Sequence, residues 1–373
     1  MSMATGTGER GGTRTTMSRE EDDQNQGVEQ PLMDGLPNDL ARRCLARASR
    51  QAHAAMQMVC RSWAAFLNSA ELLELRREAG VCEECLYMLA VADDAYRWGV
   101  LTPSSGAWRR LGSVPFLQPE RILKHFHTCP AGQGLLLVLG GSVWEPVSFL
   151  GASSGAWVQK LAATREVWVF QSTTSTWRPG PPMLTARRGR FACALVGNKI
   201  IVAGGSDLAG RPLCDAEVLD LCLPGEIDGF RWEALPPMSL ARKDCLGAAI
   251  EGRFWAVSGR RGGIDNAFLN LHQSAAVLDL KDGTWSTVGG MWFSSEPPEH
   301  LAVFNGRIVA SDSLGRRHRV KTYDESSGSW SDVGDESRGG KTVVGLAAVE
   351  KQLYAVSWDA LDSKIDGACI TRL

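Results

Sequence analysis

Six times along this chain of 373 residues a tryptophan closes a short polar turn: S-S-G-A-W at Trp108 and again at Trp157, T-T-S-T-W at Trp177, D-G-F-R-W at Trp232, K-D-G-T-W at Trp285 and S-S-G-S-W at Trp330. Trp177, Trp232, Trp285 and Trp330 recur at intervals of roughly 45 to 55 residues, and a fixed period of that length is the mark of a repeat array. Ahead of each lies an apolar run ending in small residues. The runs read L-L-L-V-L-G-G from Leu135, I-I-V-A-G-G from Ile200, F-W-A-V-S-G from Phe254, I-V-A-S from Ile308 and L-Y-A-V-S from Leu353. Only Gly140-Gly141 and Gly204-Gly205 form a true double glycine.

Every copy has the same order: a run too short for a helix, glycine or serine, a variable loop, an alternating strand such as Ala276 to Leu280, then turn and tryptophan. Unbroken apolar runs suit strands covered on both faces, as in a sheet sandwiched between neighbouring sheets. Glycine at the strand end permits positive φ and close backbone approach. A tryptophan in the gap between sheets would bury roughly 150 to 250 Å², so Gly140, Gly141, Gly204, Gly205, Trp177, Trp232, Trp285 and Trp330 are expected to be structural.

Glycine pair, alternating strand and turn-tryptophan recur together across residues 81–373, and in this the chain resembles the kelch-repeat family. The resemblance implies a mainly β fold, a kelch β-propeller. Six copies are counted, with five and seven as the neighbouring possibilities. The first, Leu86 to Leu111, lacks an innermost strand and the last, Val343 to Leu373, lacks a turn-tryptophan. Pairing of the chain ends is expected, because closure removes open sheet edges.

Residues 36–80 are rich in alanine, arginine and leucine and show no strand patterning. They are expected to be helical, with Pro37 suited to a first helical position and Asn38 and Asp39 at its positive end. Leu36, Leu40, Cys44, Leu45 and Ala48 share one face. Ala52, Ala55, Met56, Val59, Cys60, Trp63 and Leu67 share a second. The opening Leu36-Pro37 with Leu40, then Cys44-Leu45, then V-C-R-S-W (Val59, Cys60, Arg61, Ser62, Trp63) closely resemble an F-box, with a trailing segment from Ser69 to Gly80 like that of plant F-box kelch proteins. Ser49 departs from the pattern, standing where many members have proline. The resemblance implies a small helical module at 33–80 that docks on a Skp-family adaptor and through it on a cullin scaffold. Leu36, Pro37, Leu40, Cys44, Leu45, Val59, Cys60, Arg61 and Trp63 are the expected adaptor-binding set. Leu36 and Pro37 are expected to touch the partner, and Val59 and Trp63 to be core. The competing reading is a helical cap packed on the propeller, since so short a segment cannot bury much surface alone.

Residues 1–32 are rich in Gly, Thr, Ser and acids and are expected to be disordered. The net charge of −2 gives no pull toward nucleic acid or an anionic membrane. No run of some 18 apolar residues and no secretory hydrophobic stretch is present, so a cytoplasmic or nuclear protein is expected. Ten cysteines are too sparse and irregular for a disulfide framework. Cys82 and Cys85 form a C-x-x-C without the second pair that zinc would need.

Kelch propellers also include copper oxidases, but only four tyrosines and six histidines are present, with His125 and His127 alone close together. Neither a G-x-S-x-G elbow nor a phosphate loop occurs. No cofactor and no catalytic residue are expected in this chain. The resemblance implies a substrate receptor of a ubiquitin ligase that captures an unidentified protein for degradation. A kelch scaffold without ligase function is the alternative, and an oxidase a distant third.

In a four-stranded antiparallel blade, the loop between the second and third strands and the link to the next blade emerge on one face. That face should carry Arg187, Arg188, Arg242 and Lys243 from the links, and Arg260, Arg261, Arg316 and Arg317 from the loops. The expectation is a basic mouth for an acidic or phosphorylated substrate patch; the competing reading is that these arginines hold neighbouring loops together. The segment Val143 to Thr164 lengthens one loop by about ten residues relative to the next copy, placing Trp144, Phe149 and Trp157 as further contact candidates.

Overall fold

The computed structural model describes residues 31–372 apart from 93–94, 104, 119, 133, 147–156, 162, 222–229, 261–272, 293–297, 315–316, 334–341, 350 and 359–368. Residues 1–30, Phe149, Arg261 and Arg316, on which expectations rest above, lie outside the described residues. The chain divides into two compact units, Met1–Leu67 and Asn68–Leu373.

The first unit holds helices α1 (Asn38–Arg47), α2 (Arg50–Met56) and α3 (Arg61–Leu67), with α3 against both others. Ala41 and Leu45, one helical turn apart, are buried with Ala46, and Phe66 and Leu67 are buried from α3. Ser49 takes an extended conformation (φ −62°, ψ 144°) just before α2, so the helix starts there without the proline of many F-boxes. Trp63 Nε1 donates to the Leu32 carbonyl at 2.6 Å, and Leu32 N–H donates to Asn38 Oδ1 at 2.8 Å. These two bonds fasten the segment before α1 to the helices.

Helix α4 (Ala70–Glu78) groups with the second unit, so the division falls before it, whereas the sequence reading placed it after residue 80. The cause is local: Leu72 is buried, and Arg76 donates to the Val81 carbonyl at 2.8 Å and pairs with Glu83 at 3.5 Å.

The second unit contains seven antiparallel sheets among the described residues. Six follow the repeat. The first is Leu86–Ala92, Ala95–Thr102 and Ala107–Arg110; the second His127–Pro130, Leu135–Leu139, Val167–Gln171 and Thr176–Pro179; the third Ala192–Val196, Lys199–Ala203, Ala216–Asp220 and Trp232–Leu235. The fourth is Leu246–Ile250, Arg253–Val257, Ala275–Asp279 and Thr284–Val288; the fifth His300–Phe304, Arg307–Leu314, Arg317–Asp324 and Ser329–Asp332; the sixth Thr342–Val349, Gln352–Trp358 and Cys369–Arg372. The first lacks an innermost strand and the sixth an outermost one, and no ladder joins them among the described residues, in contrast to the expected pairing of ends.

The remaining sheet was not foreseen. It consists of Leu117–Gln118, Arg121–Lys124, Ser142–Pro146 and Trp157–Leu161. Arg121–Lys124 is followed after two residues by His127–Pro130 of the second sheet, and Leu135–Leu139 of that sheet is followed after the glycine pair by Ser142–Pro146, so two strands continue from one sheet into the other. The insertion read above as a lengthened loop is thus partly strand, and its flanks supply two of the four strands.

The innermost strands of the second to sixth sheets neighbour one another in succession. Four of them line a cavity of about 310 Å³, with Cys129, Cys193, Gly247 and Leu301 on its wall. A β-carbon on Gly247 would overlap the Cys193 backbone, so Gly247→Ala forces two strands apart. It should cost about 1–3 kcal/mol, read from chemical denaturation.

Each gap between consecutive sheets from the first to the fifth holds one buried apolar cluster and one turn-tryptophan. Trp177 packs on Phe170, Phe116 and Trp98, with centroids 5.0, 5.2 and 5.5 Å away. The indoles of Trp232, Trp285 and Trp330 each donate to a carbonyl in the link leaving the preceding sheet: Pro181 at 3.0 Å, Pro236 at 2.7 Å and Met291 at 2.8 Å. The aromatic body fills the gap and its polar edge is satisfied by backbone. Gly140 (φ 60°) and Gly204 (φ 74°) occur where the Arg187 and Arg242 carbonyls pass too closely for a side chain.

Candidate functional site

Within the helical unit, the expected adaptor set separates into core and surface. Leu45 is buried, Trp63 and Leu36 are half-buried, and Pro37, Cys44, Cys60 and Arg61 are exposed. Leu40 is 45% exposed, Val59 61% and Met58, unselected in the sequence, 82%. Val59 was expected in the core. It lies instead in the turn at 57–60 that separates α2 from α3, where the helical periodicity used to place it no longer holds. Leu40 shared a predicted face with Leu45, but α1 turns Ala41 and Leu45 inward and leaves Leu40 and Cys44 outward.

On the face carrying the inter-sheet links, two expected substrate contacts are contradicted. Arg187 is fully buried, donating to the Gly204 carbonyl at 2.7 Å and pairing with Glu217. Arg242 is buried as well, donating to the Ser258 carbonyl at 2.7 Å, the Ser274 carbonyl at 3.2 Å and Ser274 Oγ at 2.9 Å. Burial lowers the Arg242 pKa. Both guanidiniums bind link to loop. The sequence reading missed Glu217, which also accepts the Leu184 N–H at 2.6 Å and the Thr185 N–H at 3.4 Å. Its signal was the acid in A-E-V-L-D, where the next copy reads A-A-V-L-D.

The residues following those arginines remain near the surface. Arg188 and Lys243 are half-buried and Arg260 is exposed. Arg188 pairs by backbone with Ser206 and Lys243 with Arg260, and Lys124 pairs with Ser142 in the same manner. One device thus recurs in three copies: a basic residue, just ahead of the innermost strand, bridged to the residue after the glycine or serine-glycine pair. In the first and third of these copies the next residue, His125 or Asp244, has φ of 56° or 57°; in the second it is Gly189 at 70°. Arg190 donates to the carbonyls of Pro298 at 3.2 Å and Glu299 at 3.1 Å, spanning from the third sheet's link to the fifth's. Arg317 begins a strand of the fifth sheet.

His125 is held below its usual pKa by partial burial and then by the Arg188 and Lys124 charges. His127 lies 5.3 Å from Phe191, and burial lowers its pKa too. Cys82 and Cys85 contact the Leu73 carbonyl and Thr102 Oγ1, each at 3.9 Å. Among the described residues no group of three or more His, Cys, Asp or Glu is placed to hold a metal, and no helix is long and apolar enough to cross a membrane. The Lys124 ammonium sits 4.8 Å from the Trp144 ring centre, and Trp157 opens the last strand of the additional sheet.

Comparison with known proteins adds a family context to this geometry. Residues 187–239 match the Kelch motif family, a span that takes in the strands of the third sheet and part of the link on either side. The chain is 29% identical over 359 residues to F-box/kelch-repeat protein At1g16250 of Arabidopsis thaliana, covering 92% of this chain and 87% of that one. It is 32% identical over 223 residues to F-box/kelch-repeat protein SKIP30 of the same plant, covering 60% and 59%. With F-box/kelch-repeat protein At1g26930, also from Arabidopsis thaliana, identity is 27% over 346 residues, covering 89% and 74%.

Proposed function

We propose, from the premise that this chain is a plant-type F-box/kelch-repeat protein, that it is the substrate-recognition subunit of a ubiquitin ligase of the Skp adaptor, cullin and F-box type. The helical unit docks on the Skp-family adaptor and, through it, on the cullin. The sheet unit captures a protein for ubiquitination and proteasomal degradation. Bond-forming chemistry then belongs to partner subunits, and this chain contributes selection.

The observation that carries the reading is the apolar surface of the helical unit. Leu40, Met58 and Val59 are three large hydrophobic side chains left in solvent by a unit of three short helices. Burying them against a partner gains free energy that leaving them in water does not. Exposed positions can be changed with little effect on folding, which makes a clean test available. In co-purification of the full chain with a Skp-family adaptor, Leu40→Ala with Val59→Ala should weaken binding by about 2–3 kcal/mol, a loss of roughly 30- to 150-fold. Thermal unfolding should be unchanged. Failure of the wild-type chain to bind would leave a kelch scaffold without ligase function, and equal binding by the variant would show that the adaptor docks on a surface other than Leu40 and Val59.

A further inference from the structure

We propose that Lys124, Arg188 and Lys243 form a ring of cations, one from each of three successive repeats, that captures a protein segment bearing clustered carboxylates. This deepens the receptor reading by naming the chemistry of the substrate; it rests on that reading only for the fate of the bound protein.

Each residue immediately precedes a backbone position with positive φ, and each is bridged by backbone to the residue after the glycine or serine-glycine pair of its own repeat. The three are therefore in equivalent places, at the entry to innermost strands that neighbour one another around the cavity. Equivalent places on strands gathered around one cavity bring the three positive charges to one end of it. Two of them act on the same neighbour: the His125 pKa is lowered first by partial burial and then by the Arg188 and Lys124 charges. Acids of the same link segments are Glu120, Asp244 and Glu299 among the described residues, with Glu296 a further acid of the last segment in the sequence, and Arg190 also reaches across this end.

The chemistry of the ligand follows from what the ring lacks. A phosphate is best held by converging guanidinium forks; of the guanidiniums in these links, Arg187 and Arg242 are consumed inside the protein and Arg190 is bonded to the Pro298 and Glu299 carbonyls, so Arg188 is the one fork in the ring, beside two ammoniums. What remains is a set of separate monovalent cations, each fixed by its repeat. That pattern matches carboxylates distributed along a peptide, and its attraction should be strongly screened by salt.

The test uses the full chain without adaptor and a fluorescently labelled oligoglutamate peptide, with binding read by anisotropy at low and high salt. The triple variant Lys124→Glu, Arg188→Glu, Lys243→Glu should lose more than about tenfold in affinity. A control of equal charge change on exposed outer positions, Arg109→Glu, Arg110→Glu, Arg231→Glu, should lose less than about twofold. The milder triple change to glutamine should fall between them, which guards against misfolding of the reversed variant. Equal losses in ring and control variants would overturn the proposal, as would absence of wild-type binding at low salt. So would preference for a phosphoserine peptide of lower carboxylate content, which would point to phosphate instead. Adaptor co-purification should be the same for wild type and all three variants, so failure of the ligase reading registers separately.

Discussion

Glu217→Ala is expected to destabilise the sheet unit by about 3–5 kcal/mol, because it strands the Arg187 guanidinium in the interior without its carboxylate. Arg187 is wholly inaccessible and Glu217 nearly so, so water cannot replace the lost partner. The carboxylate also accepts the Leu184 and Thr185 amides, and its removal frees the link as well as the charge. Equilibrium denaturation gives the size of the effect. A second variant separates its two parts. Replacing both partners, Arg187→Met with Glu217→Leu, removes the isolated charge and should leave a cost of about 1–3 kcal/mol from the unaccepted amides. A single change as mild as a surface substitution would show that the pair contributes nothing to holding link to sheet.

Trp232→Ala should cost a similar amount, about 3–5 kcal/mol. The side chain is 5% exposed, belongs to the cluster between the second and third sheets, and donates to the Pro181 carbonyl. Trp232→Phe keeps most of the apolar filling and loses the donor, so its cost should fall near 1–2 kcal/mol. The ordering of alanine against phenylalanine in thermal unfolding is the decisive reading. Equal stability of the two variants would mean that the indole edge, not the ring, does the joining.

The fold was largely written in the spacing of tryptophans and apolar runs, because an array repeats its signal. Six repeat sheets, their strand order and the tryptophans between sheets all followed from one pattern met several times. The additional sheet was illegible for the opposite reason. Its strands occur in a single copy, and Leu117–Gln118 is only two residues long, too short for alternation to register. In the helical unit, composition disclosed helices but not the break at 57–60 that turns Met58 and Val59 outward. At the links, residue type alone could not separate Arg187 from Arg188. Adjacent arginines met opposite fates, since one side chain enters the gap behind a glycine pair while its neighbour stays at the surface. Glu217, which decides that fate for Arg187, lies 30 positions further on.

The bonds from Trp232, Trp285 and Trp330 all run in one direction, from a later sheet back to the link that leaves the sheet before it. A ribosome delivers the chain in the same direction. Each indole therefore emerges when its acceptor carbonyl has already left the exit tunnel, and every sheet can be fastened on arrival without waiting for downstream sequence. Under these conditions assembly should advance stepwise from the first sheet. A nascent chain extended past Leu235 just far enough to bring Trp232 out of the tunnel should already protect that indole from solvent, measurable by its fluorescence, with the later sheets still unmade.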